Sequence, residues 1–393
     1  MSSQAFVKTL RTTSELEDIR EAWEAWPGNR DSEMESYLAF LQSNPSTVRP
    51  HVLVVYGERG PAAILVGRID RGHIHCRLGY LRLSLPAMIL CFVYGALRGN
   101  PSKENSDLLM TEILRSLSQG EADVAYMNFL NEESDLCRLA MERPALLSRD
   151  FVRISQPHFA ATLPAKVEEF YQRLSPKVRK NQKWQAKKLI NHFSDGVRIH
   201  CYREVTDFDK MIQDVEQVAK KSYQRGLGVG FVDTPTMRNG LRRMAERGWL
   251  RAYVLYLEER PCAFWIGDIN QGVFGSDYIG YDTEFGKYSP GMFLTTKVIE
   301  GFCDGNREGV TAVDFGPGNA QYKEVLSNQR WQETSVYVFA PSFKGISLNL
   351  IRSLIGRTDQ TIKKALERMN LLQRVKKAWR DRAKSKEMAR AES

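Results

Sequence analysis

Between Val273 and Tyr322 the chain reads VFGSDYIGYDTEFGKYSPGMFLTTKVIEGFCDGNREGVTAVDFGPGNAQY, with Lys323 directly after. Residues suited to chemistry gather at two breaks in this stretch. The first, 284–290, is polar and holds Gly286, Lys287 and Ser289. Pro290 suits the first turn of a helix, predicted to run to about 303. Gly291 lets backbone come close to a ligand. The first amides of such a helix have no intrahelical acceptor and lie at the positive end of its dipole, so a phosphate or pyrophosphate fits there and Lys287 adds charge. The alternative is that Pro290 and Gly291 only start a helix. The second break, Gly316-Pro317-Gly318, ends a short strand at 311–315.

Other residues carry weaker signals. His73 and His75 fall on one face of a strand and either bind a metal or decorate a solvated edge; with no third ligand in view the edge is preferred. From Arg173 to Lys188 there are seven basic residues and no acidic one, with Trp184 among them. That run is either a solvated helix face or a groove for an anionic ligand, with Trp184 placed to stack on a base or sugar. The glycine-rich 226–233 lacks the lysine and spacing of a phosphate loop and reads as an acceptor-site loop or a connector.

The surrounding pattern supplies elements to hold these residues. Residues 14–42 read as helix, loop, helix, with Ser14 as cap and Glu17 three positions on. Strands are expected at 51–56, 62–69 and 74–83, then an apolar helix from Pro86 to 97, a helix at 105–119 and a strand at 122–129. Helix follows over 163–191 with a break at Pro176, then strand 197–205, helix 207–225 and helix 234–248. A three-strand meander spans 249–257, 262–269 and 273–282, and a last strand 331–339. GYLRLSLPAMIL from Gly79 echoes GYDTEFGKYSPGMFL from Gly280, as a duplicated fold would.

The run GYDTEFGKYSPGMFL and, farther on, VDFGPGNAQYK resemble the acyltransferase domain of the GNAT superfamily. The nearer similarity is to its CelD- or BcsL-like branch, tied to cellulose and other exopolysaccharide biosynthesis and related to the Fem-type aminoacyltransferases. The resemblance covers 174–339, opening with LSPKVRKNQKWQAKKL; YSPG stands where most GNAT sequences carry Q/R-x-x-G-x-G/A. It implies an α/β (α+β) fold of tandem GNAT-like domains, each a mixed, mostly antiparallel sheet flanked by helices. The expected domains are 1–160, a degenerate copy, and 161–341, the acyltransferase, followed by a basic helical tail at 342–393.

The resemblance also implies chemistry. Acetyl-CoA or another acyl-CoA is the donor, held by Tyr278, Ile279, Gly280, Gly286, Lys287, Ser289, Gly291 and Met292, with backbone of 278–280 polarising the thioester. Tyr322 protonates the departing thiolate, and Lys323 steadies charge on the reacting carbonyl. Asp277 or Asp268 takes the acceptor's proton, while Asp314 either reacts or orients the glycine turn. No metal is required. The acceptor is an amine or hydroxyl of a sugar or polysaccharide precursor. Two alternatives stay open: an aminoacyl-tRNA-dependent transferase using the basic segments to hold RNA, and an inactive module binding precursors or a synthase.

Composition frames these readings. The 393 residues suit two or three domains, and 42% are hydrophobic. The formal charge is +9, and it belongs to the tail: Lys344 to Ser393 holds fourteen Lys or Arg and five Asp or Glu, leaving the rest balanced. Ile362, Leu366, Met369, Leu372, Val375 and Trp379 recur there at helical spacing among cations, so this stretch either lies on an anionic membrane or a partner, or packs on its own body. Six scattered cysteines without CxxC suggest buried thiols in a reducing compartment. The N-terminus lacks an apolar signal region and no apolar run spans a bilayer, so the expectation is a cytoplasmic protein, peripheral at the membrane if the tail binds it.

Overall fold

Alternating and β-branched runs become strands, and runs with one polar face become helices, in two units. The computed structural model describes residues 5–79, 81–226, 230–303 and 308–368, with side chains to 362. One unit is built from the described residues up to Ser155 and from Thr334 onward; the other is Gln156–Glu333.

The first unit runs β1 (Phe6–Leu10), α1 (Thr13–Glu17), α2 (Arg20–Ala25), α3 (Met34–Ser43), β2 (Thr47–Pro50), β3 (Val52–Gly57), β4 (Gly60–Leu78), β5 (Leu81–Gly99), α4 (Lys103–Ser118), β6 (Val124–Asn131) and α5 (Asp135–Glu142). Its strands lie in the order β1-β3-β4-β5-β6, with β2 also on β4. All pairs are antiparallel except β5–β6, which is parallel and bridged by α4. Trp23, Tyr37, Val54, Leu65, Phe92, Leu109 and Met127 fill its core.

The second unit runs β7 (Ser155–Thr162), α6 (Val167–Arg173), α7 (Pro176–Phe193), β8 (Val197–Tyr202), α8 (Phe208–Lys220), α9 (Tyr223–Gly226), α10 (Pro235–Glu246), β9 (Leu250–Leu257), β10 (Arg260–Asn270), β11 (Val273–Tyr281), α11 (Pro290–Cys303), β12 (Ala312–Pro317) and α12 (Gln321–Leu326). The order is β7-β12-β11-β10-β9-β8. Here too the pairing is antiparallel except for one parallel pair, β11–β12, bridged by a helix, α11. One sheet face packs against α6, α7 and α11 through Phe170, Leu189, Trp265 and Leu294. The other packs against α8 and α10 through Val215, Leu241 and Phe264. β13 (Gln329–Phe339) carries the chain back to the first unit, where α13 (Phe343–Arg368) packs against β4.

The expected architecture is therefore present: two α/β units with mostly antiparallel sheets flanked by helices. Several local expectations need correction. Residues 86–97 are strand, not helix: β5 pairs with β4 along nearly its whole length. Ile89, Phe92, Val93 and Tyr94 give the run a strand's composition. Pro86 stands opposite His73, while β6 pairs only with Ile89–Phe92, so the missing N–H of Pro86 costs no bond to β6. The expected strand 74–83 is split by the hairpin turn at Gly79, where φ is 58°. The echo between Gly79 and Gly280 therefore matches a turn with a strand; the repetition lies in the topology, not in those residues. The first helix is capped by Thr12 with Glu15, both arms of the box being made, and Glu17 instead pairs with Arg20 at 2.7 Å.

His73 and His75 are exposed on β4, and no group of three potential metal ligands occurs among the described residues. The six cysteines are free. No described helix is long and apolar enough to cross a membrane. The middle of the 226–233 loop and the tail from 369 on lie outside the described residues.

Candidate functional site

The site begins with an irregular strand. In β11, Ser276 pairs with Gly267 and Tyr278 with Ile266, so Asp277 is the extra residue of a bulge. The bulge shifts side-chain parity. Phe274 packs in the α7/α11 core and Ser276 bonds the Trp265 indole; beyond Asp277 it is Ile279 and Tyr281 that return to this face. Tyr278 turns to the opposite core beside Phe231. Past the bulge β11 also leaves β12. The two pair only at Val273–Gly275 with Ala312–Asp314, and β12 then continues against β7. The strands splay, and the backbone of 276–281 on that side has no ladder partner in β12.

A short helical turn, Thr283–Tyr288, leads to Ser289, whose φ of 53° swings the chain into α11. Pro290 fills the first helical position and lacks an N–H. Among the described residues nothing accepts from the amides of Gly291 or Met292. The Thr295 hydroxyl serves carbonyls, not these amides: Oγ1 donates to the carbonyls of Gly291 and Met292, both at 3.1 Å. The helix therefore presents bare donors at its positive end.

Those donors open on a cavity of about 690 Å³. Its walls are α7, α11, α12 and the splayed part of β11, with Val178, Ala186, Ile279, Met292, Phe293 and Val325 supplying apolar surface. Four polar atoms in the wall are buried without a partner: Oε1 of Gln182, Gln185 and Gln224, and Oγ1 of Thr296. Such atoms take a hydrogen-bond partner from whatever fills the cavity, water or ligand. Gln182 and Thr296 are buried, at 8% and 6% exposure. Lys183 and Lys187 of α7 stand at the wall as well. Among the described residues, Lys177, Arg179, Lys180, Lys183, Lys187 and Lys188 form no ion pair, so α7 adds unneutralised positive charge.

Tyr322, on α12, reaches the cavity wall and approaches Ser276. Burial pushes its phenol up to about 12, against the lowering effect of the Ser276 hydroxyl. It is a proton donor at neutral pH, not a phenolate. Lys323 turns away from the cavity: Nζ donates to the carbonyls of Gly316 at 3.1 Å and Pro317 at 2.8 Å. Burial lowers this ammonium to about 8, partly offset by Asp314. Asp314 accepts from the Gly316 N–H at 2.7 Å and from His158 Nε2 at 2.6 Å, which ties the glycine turn to β7.

His158 is fully buried, and its second nitrogen lies 3.0 Å from Glu333. Trp331 stacks on the ring at 4.2 Å and donates its indole N–H to Glu333 at 2.8 Å. Burial alone would strip the proton from His158, but the two carboxylates overrule it and raise the imidazolium to about 9. A charged histidine between two acids thus braces the base of the turn that carries Tyr322.

The structure brings Ile279, Gly286, Ser289, Gly291, Met292 and Tyr322 to one cavity. Tyr278, Gly280, Lys287, Asp277, Asp314 and Lys323 do not line it. Gly280 has a packing reason instead: a Cβ there would lie 2.7 Å from the Phe264 ring. The carbonyl of Lys287 accepts from Lys188 at 3.0 Å, and Asp268 is buried opposite Gly275. Sequence reading missed Gln182, Gln185, Gln224, Thr296, His158, Glu333 and Trp331. One signal was available: Val178, Gln182, Gln185, Ala186 and Leu189 form an uncharged stripe at helical spacing inside the basic run.

Residues 176–324, which hold the cavity and the splayed strands, match the family described as Acetyltransferase (GNAT) domain. No curated protein matches. Among solved structures the chain is similar to FemX, at 9% identity and a TM-score of 0.51, covering 83% of this chain and 96% of that one. It is also similar to a tandem GNAT protein from the clavulanic acid biosynthesis pathway (11% identity, TM-score 0.45, covering 86% and 99%). A third is the C-terminal domain of a putative lysylphosphatidylglycerol synthetase from Agrobacterium fabrum (10% identity, TM-score 0.44, covering 78% and 88%). At these identities the likeness to FemX is one of fold. The second unit thus has the fold of a GNAT acyltransferase domain.

Proposed function

We propose that the protein transfers an acyl group from acyl-CoA to an amine or hydroxyl acceptor, and that the acceptor is a sugar or polysaccharide precursor. The observation that carries the donor assignment is the bare amino end of α11 opening on a cavity lined with unpaired polar atoms. The anionic part of the donor meets the amides of Gly291 and Met292 and the cations of α7. Its amide-bearing arm meets Gln182, Gln185 and Thr296. The thioester lies along 278–280, where backbone N–H groups stabilise the developing oxyanion.

In this reading the acceptor's O–H or N–H releases its proton to solvent as the nucleophile bonds to the carbonyl carbon. The C–S bond then breaks, the Tyr322 phenol protonates the leaving thiolate, and the phenolate regains a proton from solvent. Lys323, Asp314 and His158 hold the turn that aims Tyr322.

Tyr322→Phe keeps the ring and removes the proton. Turnover should fall about a hundredfold while acyl-CoA affinity, read by calorimetry, stays unchanged. Full turnover in this variant with a verified acceptor removes Tyr322 from the mechanism. A second reading, transfer from aminoacyl-tRNA, draws on the unpaired cations of α7 and on Trp184, which is 56% exposed on that helix. Salt-dependent RNA binding together with no acyl-CoA binding would favour it.

A further inference from the structure

In the first unit, α13 buries one face and leaves an apolar stripe on the other. Leu348, Asn349, Ser353 and Asp359 are buried. Phe343, Leu350 and Leu354, seven and four residues apart, face solvent at 91%, 56% and 70% exposure. A loop and a hairpin tip pack against the buried side of the helix. Asn349 Nδ2 donates to the carbonyls of Leu147 and Arg149 at 2.7 and 2.8 Å, and Arg352 donates to Val152 O at 3.0 Å. That loop exposes Leu146 and Ile154. At the other end the Gly79 N–H donates to Asp359 at 2.8 Å, bringing up the tip of the β4–β5 hairpin with exposed Leu81 and Arg82. Single exposed leucines are ordinary; Phe343, Leu350 and Leu354 in one row along a helix are not.

We propose that this face is a docking surface for an anionic lipid bilayer. Charge selects the occupant. From 343 to 366 the one acidic residue, Asp359, is buried and bonded to the hairpin tip. From 363 to 393 the sequence carries eleven Lys or Arg against four Asp or Glu. A second copy meeting this face symmetrically would bring Arg357 against its like, whereas an anionic bilayer takes up the apolar stripe and attracts the exposed Arg357 and the basic sequence that follows it. The helix lies on such a surface, since none of the described helices can span it. This inference stands apart from the acyl-transfer reading and needs no activity to test.

The full-length chain should float with vesicles of phosphatidylglycerol and phosphatidylcholine and bind phosphatidylcholine alone far more weakly. The double variant Leu350→Glu, Leu354→Glu alters only exposed positions. With unchanged circular dichroism it should lose about tenfold or more of that binding. Equal binding by the double variant overturns the proposal, because the cations alone would then suffice. It is likewise overturned if the wild type sediments as a dimer that Leu354→Glu dissociates, which would assign the face to a second copy.

Discussion

The two units repeat one device, a parallel strand pair bridged by a helix, and put it to different uses. In the first unit β5 leads to α4, whose amino end is closed. Ser102 Oγ accepts from the Asn105 N–H at 3.2 Å, and the Asn105 side chain donates back to Asn100 O at 3.0 Å. In the second, β11 leads to α11, which starts with proline and glycine, has two bare amides and faces a cavity. A side-chain cap would have satisfied those amides and occupied the place of a ligand. The histidines differ in the same spirit. His51 and His158 are both fully buried. His51 meets Glu121 only at 3.6 Å; burial, with Arg49 and Arg11 nearby, lowers it to about 4. His158, held between two acids, is raised to about 9. The lesson is that topology supplies the bridge and the residues at its ends decide whether it is filled or left open.

The sharpest way to break this contrast is to close the open end. Gly291→Leu puts a side chain at the mouth of the cavity, where even a Cβ lies 3.3 Å from Tyr281. Acyl-CoA binding should drop by more than about a hundredfold by calorimetry with the circular dichroism spectrum retained. Unchanged affinity would remove the α11 site.

The histidines should pull stability in opposite directions. Between 6.5 and about 9 the folded state holds the His158 proton that the unfolded chain releases, so stability falls as pH rises through this range. Between about 4 and 6.5 the unfolded chain holds the His51 proton that the folded state excludes, so stability falls as pH drops. Each window corresponds to roughly 3 kcal/mol. Denaturant titrations should lose the alkaline slope in His158→Gln and the acid slope in His51→Gln; a slope that survives its own substitution belongs to another group.

Thr296→Val tests the cavity with two signs at once. Removing a buried unpaired hydroxyl should raise the stability of the free protein by roughly 1 kcal/mol, while acyl-CoA binding weakens about tenfold. A loss of stability with unchanged affinity would make Thr296 an ordinary packing residue. The smallest effect belongs to the closed end. Ser102→Ala should cost about 1 kcal/mol of unfolding free energy and leave acyl-CoA affinity untouched, because that cap holds only its own helix.

Much of this was legible in the residues. Periodicity placed the meander β9–β11, the break at Pro176 and the start of α11, because strand alternation, a proline at a helix start and a glycine turn are local signals. The resemblance carried by VDFGPGNAQYK and GYDTEFGKYSPGMFL led to the domain that residues 176–324 match. Reading went astray at β5, where a long apolar run satisfied helix and strand alike and only its partner β4 settled the matter. It went astray again at the internal echo, which paired a hairpin tip with a strand.

Local pattern was therefore enough to tell where the chain turns, which faces are apolar and where a helix begins with proline and glycine. Tertiary structure alone decided the rest. The bulge at Asp277, the parting of β11 from β12, and the meeting of Gln182, Tyr322 and Thr296 around one cavity join residues far apart in the chain. So does the charge of His158, which depends on Asp314 and Glu333, 156 and 175 positions away. Ladder registry and buried electrostatics depend on distance in space, and spacing along a chain does not encode that distance.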